Sequence, residues 1–382
     1  MKTKINVLCY MSMGLLGAYI SVYQSIISAI SKDYSISSTM AGLIISLHFI
    51  GSFIAPIILG EISDRKGKQP IVIISFAALI SGLLAIYLFN NLLMVAFGIF
   101  IIGCGFAVIE GTLSSLLSDI NKSEGSKVIN ISQMFLSIGA VIGPLTALFL
   151  IKMQGSWKIV FLLMIVLFTI VLIFFSKSHF SESEHISQVK NDTKLISVKL
   201  FKEKIFLLFC ISIFIYVGIE EGIAFWLCTY FENTFNENYL GTYTLSAYWA
   251  SMIIGRFLAS RYSNKYDLFL KGGLLLSLIF IIISLLWQNS TISLICFSCI
   301  GFGFSAVWPM IIALTNASFP KYTGTAMGIM MTSGAGGGIV IPFLIGVIGN
   351  FIRINIVFWV VPILIIMILV LMMCVPQKGF RS

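Results

Sequence analysis

Charge is what this 382-residue chain has least of: Asp, Glu, Lys and Arg make up 10% of it, against 58% hydrophobic residues and a mean hydropathy of +1.03. A water-soluble protein of that length needs far more polar surface to cover its exterior, so a soluble enzyme or a soluble nucleic-acid-binding protein is excluded. Histidine is scarce too, and His48, His179 and His185 form no metal-ligand or catalytic pattern. No Gly-rich phosphate loop occurs, so no nucleotide supplies energy, and neither cofactor nor metal is called for. The seven cysteines, Cys9, Cys104, Cys210, Cys228, Cys296, Cys299 and Cys374, all fall in apolar runs, where they read as small core residues rather than a disulfide framework.

What the chain has instead is apolar length. A helix rises ~1.5 Å per residue, so about 20 apolar residues cross the hydrocarbon of a bilayer. Twelve runs qualify: 5–30, 39–59, 70–88, 92–118, 128–151, 157–176, 204–230, 241–262, 268–287, 291–316, 323–347 and 353–375. Barrel strands would alternate over roughly ten residues, unlike the unbroken run Ile159 to Phe175. The expected fold is therefore an all-α integral membrane protein of about twelve transmembrane helices. The start Met-Lys-Thr-Lys resembles a signal-peptide head, but the stretch to Ile30 is too long for one and lacks a cleavage site, so it is read as the first span.

The basic residues set the topology. With the N-terminus inside, one set of loops carries 19 of the 24 Lys and Arg residues, which places both termini in the cytoplasm by the positive-inside rule, and low charge with short loops and no organellar presequence fits a bacterial cell (inner) membrane. A single long polar stretch divides the runs six and six. The expected domains are a six-helix bundle at 1–176, a cytoplasmic linker at 177–203 and a second bundle at 204–382. The halves echo each other weakly, Gly60 to Lys68 against Gly255 to Lys265, as internally duplicated transporters do.

Between spans two and three stands Gly60-x-x-x-Asp64-Arg65-x-Gly67-Lys68. Its glycines permit a tight turn, Asp64 suits a helix N-terminus and the basic residues suit carbonyl ends or carboxylates, so the set can latch one conformation. This motif, in a six-plus-six chain with a basic middle loop, resembles the major facilitator superfamily over essentially the whole sequence. Tyr216 to Trp226, Ile253 to Tyr262, Trp308 to Leu314 and Ser333 to Gly346 resemble its fucose and glucose/galactose permease branch. That resemblance implies a functional glutamate at Glu110 and favours Glu220 over Glu221 at the next such position. It also exposes a departure: the branch carries an acid in span one, where this chain offers Tyr19, Tyr23 and Gln24.

Ionisable groups inside the spans are the default site candidates, because a charge in hydrocarbon costs several kcal/mol unless it meets water or a partner. They are Glu110, Glu220, Glu221, Arg256 and His48. Gly103, Phe106, Glu110 and Ser114 share one helix face, a mixture that suits a polar cavity wall. Glu220 and Glu221 point about 100° apart, so one of the two lines the site. His48 is a candidate proton relay, with a structural hydrogen bond as the bland alternative. Arg256 is assigned to the cytoplasmic latch together with Gly60, Asp64, Arg65, Gly67 and Lys68. For sugar recognition the spans offer Tyr19, Tyr23, Gln24, Trp226, Tyr230, Trp249 and Trp308, though aromatics also serve packing and interfaces. Gly139, Gly143 and Pro144 permit close helix packing, and their GxxxGP pattern resembles the helix-five motif of drug:proton antiporters.

The sequence thus reads as a secondary active transporter working by alternating access. The first reading is proton-coupled monosaccharide import; the alternative is proton-coupled multidrug efflux. The implied partners are a small-molecule substrate, a proton and the lipid bilayer, with no nucleic acid and a functional monomer.

Overall fold

The computed structural model describes residues 2–121, 125–178, 199–237, 239–261, 268–319 and 323–375. Most of the expected linker, with His179 and His185, lies outside them, as do the surroundings of Gly60 and the side chains of Asp64 and Arg65.

Among the described residues the chain is helical throughout. Helices α1 (Lys2–Asp33), α2 (Ser38–Lys66), α3 (Lys68–Leu88), α4 (Leu92–Ile120), α5 (Gly125–Gln154) and α6 (Lys158–Lys177) are followed by α7 (Lys204–Phe235) and α8 (Leu240–Arg261). A π-helical turn, Leu268–Gly272, leads into α9 (Gly273–Trp287), and α10 (Ser290–Phe304), α11 (Val307–Ser318), α12 (Thr323–Gly349), α13 (Ile354–Val357) and α14 (Val360–Met373) complete the chain. Apolar sequence dictates this outcome, since in lipid every backbone polar group must be satisfied within its own segment. Polar residues mark the ends. The Asn91 side chain accepts from the Leu93 N–H at 2.8 Å to start α4, and Asn289 accepts from Ile292 at 3.1 Å to start α10.

Eleven helical stretches among the described residues are long and apolar enough to cross a membrane, with the π-turn joined to α9 and with α10–α11 and α13–α14 each forming one stretch, Ser290–Thr315 and Ile354–Met373. The eighth expected span, α8, has the length, 22 residues, but its Thr242, Thr244, Ser246, Ser251 and Arg256 make it more polar than the rest. The expected single run 291–316 is broken into α10 and α11. Pro309 lacks the N–H that would bond the Ser305 carbonyl, and its ring crowds that carbonyl, so the helix restarts at Val307. The last run is likewise divided, at Phe358 and Trp359.

The chain divides into two compact units, Met1–Ile186 and Ser187–Ser382. Within the first, α1 packs on α5, α4 packs on both α2 and α3, and α3 meets α6. Within the second, α7 packs on α12, α10 packs on both α8 and α9, and α9 meets α14. The pairing scheme is the same in each, which gives the weak sequence echo a structural counterpart. Glycine makes the tightest pairs possible: a Cβ on Gly139 would overlap the Gly14 carbonyl across α1 and α5, and one on Gly337 would overlap the Phe214 carbonyl across α7 and α12.

Candidate functional site

In the first unit the polar residues of α1 converge with one histidine of α2. Tyr19, Tyr23 and Gln24 are fully buried, as is His48, and Phe106 of α4 closes the group. The His48 ring lies 5.9 Å from Tyr19, 6.0 Å from Tyr23 and 5.3 Å from Phe106, between centroids. Helix geometry makes the group possible. Gly103 is so close to α2 that a Cβ there would strike the His48 carbonyl, and this holds α4's Phe106 against the imidazole. The Tyr19 hydroxyl and His48 Nδ1 find no hydrogen-bond partner among the described residues. Buried polar atoms are nearly always paired, so these two are where a ligand or an ordered water would add most.

Glu110 lies two turns from Gly103 on α4 and is half-buried. Its Oε1 accepts from the amide of Gln133 on α5 at 3.4 Å, a long and neutral contact. No cation pairs with it among the described residues. Gln133 was not singled out by the sequence. A polar amide within a mostly apolar run was the only signal for it.

In the second unit Glu220, 8% exposed, is held from two sides. The Tyr216 hydroxyl stands 3.0 Å from Glu220 Oε1, and Arg256 Nη2 of α8 lies 3.9 Å from the same oxygen. Tyr216 precedes Glu220 by four residues, so one face of α7 carries both. Gly255 allows the approach of the neighbouring helices: a Cβ there would strike Ser305 at the α10–α11 break. The structure thus brings Arg256 to a carboxylate within its own unit. Glu221, the next residue along the helix, is only half-buried.

Other candidates lie in the helix-packing interior, and the Tyr230 hydroxyl there has no hydrogen-bond partner among the described residues. Trp226 donates from Nε1 to the Pro342 carbonyl of α12 at 2.9 Å. The Tyr230 ring sits among Phe231, Phe235, Phe297 and Phe358, at 4.7 to 5.8 Å. Trp249 is buried beside Tyr248, and Trp308 lies against Gly334 of α12. Gly143 and Pro144 belong to the α1–α5 seam, where Gly143 abuts Ala18 and Ser21. In the loop motif Gly67 has φ 90°, a conformation that side-chain-bearing residues rarely adopt. Lys68 beside it pairs with Asp119 of α4 and reaches Ser115 at 2.6 Å.

Comparison with known proteins agrees with this architecture. A protein TsgA homolog of Buchnera aphidicola is 22% identical over 342 residues, 87% of this chain and 85% of the relative. A putative glucose/galactose transporter of Helicobacter pylori is 24% identical over 79% of this chain and 78% of its own length. The crystal structure of the fucose:proton symporter FucP of E. coli superposes with a TM-score of 0.68, covering 96% of this chain and 97% of that one; at 17% identity the likeness is one of fold. The family model of the Major Facilitator Superfamily matches residues 7–342. The chain is therefore a multi-pass membrane transporter that belongs to the Major Facilitator Superfamily.

Proposed function

We propose that this transporter imports a monosaccharide together with a proton, by alternating access, across a bacterial inner membrane with both termini in the cytoplasm. The observation that carries the reading is the buried group Tyr19, Tyr23, Gln24 and His48, with the Tyr19 hydroxyl and His48 Nδ1 unpaired. A polyhydroxylated ring offers what that group needs: hydroxyls for the phenol and imidazole, and apolar C–H faces for Tyr and Phe rings. His48 is then a neutral ligand group, packed among the rings of Tyr19, Tyr23 and Phe106, rather than a proton relay. Glu110 carries the proton. Its neutral neighbour Gln133 tolerates both forms of the carboxyl, whereas a fixed cation would hold it ionised.

The names of the relatives support a sugar: a putative glucose/galactose transporter and a fucose:proton symporter. The GxxxGP pattern has a packing explanation in the α1–α5 seam, so it no longer argues for efflux. The test is thermal stabilisation of the detergent-purified protein by a panel of monosaccharides and lipophilic cations at two pH values. A sugar-selective rise in Tm is expected, pH-dependent in wild type and independent of pH in Glu110→Gln, which keeps the binding but cannot titrate. A response confined to lipophilic cations overturns the sugar reading in favour of drug efflux.

A further inference from the structure

The Tyr216 hydroxyl has one proton and two acceptors in reach. It stands 2.9 Å from the carbonyl oxygen of Phe304 and 3.0 Å from Glu220 Oε1. Phe304 is the last residue of α10, where Pro309 has ended the continuous helix. The last carbonyls of a helix have no donor within it, so the phenol fills a vacancy that the break creates. One O–H serves one linear bond at a time. Both contacts are therefore full hydrogen bonds only when Glu220 is a neutral acid, donating its own proton to Tyr216 while Tyr216 donates to Phe304. The 3.9 Å separation of Arg256 from Glu220 is longer than a charge-assisted hydrogen bond and fits that state. When Glu220 is ionised, the carboxylate and Arg256 attract each other, the phenol turns its proton to the carboxylate, and the Phe304 carbonyl loses its donor.

We propose that Tyr216 is a positioning residue that reports the charge of Glu220 to the α10–α11 break, holding the break closed when Glu220 is protonated and releasing it when Glu220 ionises. The relevant neighbours are few. On α7 they are Tyr216 and Glu221, and α8 contributes Arg256 and Tyr248. Helices α11, α12, α13 and α14, which also pack on α7, contain no acidic or basic residue. Of α10, Cys296 and Cys299 lie further back along the helix than Phe304. The device needs no knowledge of the solute, so its failure and that of the sugar reading are separable.

The test is amide hydrogen exchange of peptides covering residues 300–312 in the intact, solute-free protein between acidic and mildly alkaline pH, corrected for intrinsic exchange rates. Wild type should lose about fivefold in protection at the break as pH rises, the equivalent of about one hydrogen bond. Tyr216→Phe should show the low protection at every pH, and Glu220→Gln, whose amide always donates, the high protection at every pH. A wild-type break without pH dependence, or a Tyr216→Phe break with the full wild-type dependence, overturns the proposal. If Tyr216→Phe does not purify as a folded protein, Glu220→Gln decides alone: a pH-independent, protected break supports the device and a wild-type profile sinks it.

Discussion

The two units share a packing scheme but treat their buried carboxyl groups differently. In the first, Glu110 has a neutral amide at 3.4 Å, and the nearby Tyr19 and His48 have polar atoms to spare. In the second, Glu220 is engaged by a phenol at 3.0 Å and a guanidinium at 3.9 Å. A site with unspent hydrogen-bonding capacity is suited to a ligand. A carboxyl group held between a phenol and a guanidinium is suited to holding or sensing charge, even though the nearby Tyr248 hydroxyl has no hydrogen-bond partner among the described residues. The same packing scheme occurs twice, and the two units carry different side chains on it.

The comparison can be broken most forcefully at the shared scaffold. Gly139→Leu and Gly337→Leu, at equivalent helix seams, should each prevent recovery of folded protein, since overpacking costs ~1–3 kcal/mol even where neighbours can shift and here the obstacle is backbone. Gly111→Ala and Gly328→Ala, where a Cβ meets nothing within 4 Å, should leave Tm unchanged. Equal damage from all four would deny the duplicated seams their role.

Next in size is the contrast between the two carboxyl groups. Arg256→Ala leaves Glu220 without its cation and should cost ~2 kcal/mol, less than a fully buried pair because Arg256 is a quarter exposed. Gln133→Ala removes only a long neutral contact and should cost under ~1 kcal/mol. Denaturation of the purified variants checks the order, and a larger loss at Gln133 reverses the comparison.

The unspent capacity of the first unit makes a more selective prediction. Tyr19→Phe should leave the Tm of the solute-free protein unchanged or slightly higher, because the lost hydroxyl has no partner among the described residues, yet weaken sugar binding about tenfold. A loss of Tm without loss of affinity would make Tyr19 a packing residue. The smallest effect belongs to the loop motif: Lys68→Ala should cost under ~1 kcal/mol, since its partner Asp119 is mostly exposed.

Much of this was legible in the sequence for plain physical reasons. Hydrocarbon demands long apolar helices, so the spans could be read from composition, and charges within them were conspicuous against it. Legibility ended where three-dimensional adjacency began. Arg256 looked like a loop-end cation because its partner Glu220 lies 36 residues away on another helix. The break at Ser305 was hidden in an apolar run, although Pro309 signalled it. Gln133 and the Phe304 carbonyl were illegible because a lone amide or a backbone group acquires meaning only from what it faces. Trp226 and Tyr230 carried the right chemistry for sugars, but the fold ties the Trp226 indole N–H to a backbone carbonyl and buries the Tyr230 ring among phenylalanines.

The most direct test of the account reconstitutes wild type and Glu110→Gln in liposomes and follows labelled monosaccharides under an inward proton gradient and in gradient-free counterflow. The account predicts that wild type concentrates a monosaccharide, and that Glu110→Gln still exchanges it in counterflow but no longer accumulates it. Undiminished accumulation by Glu110→Gln would contradict the assignment of the coupling proton to the first unit.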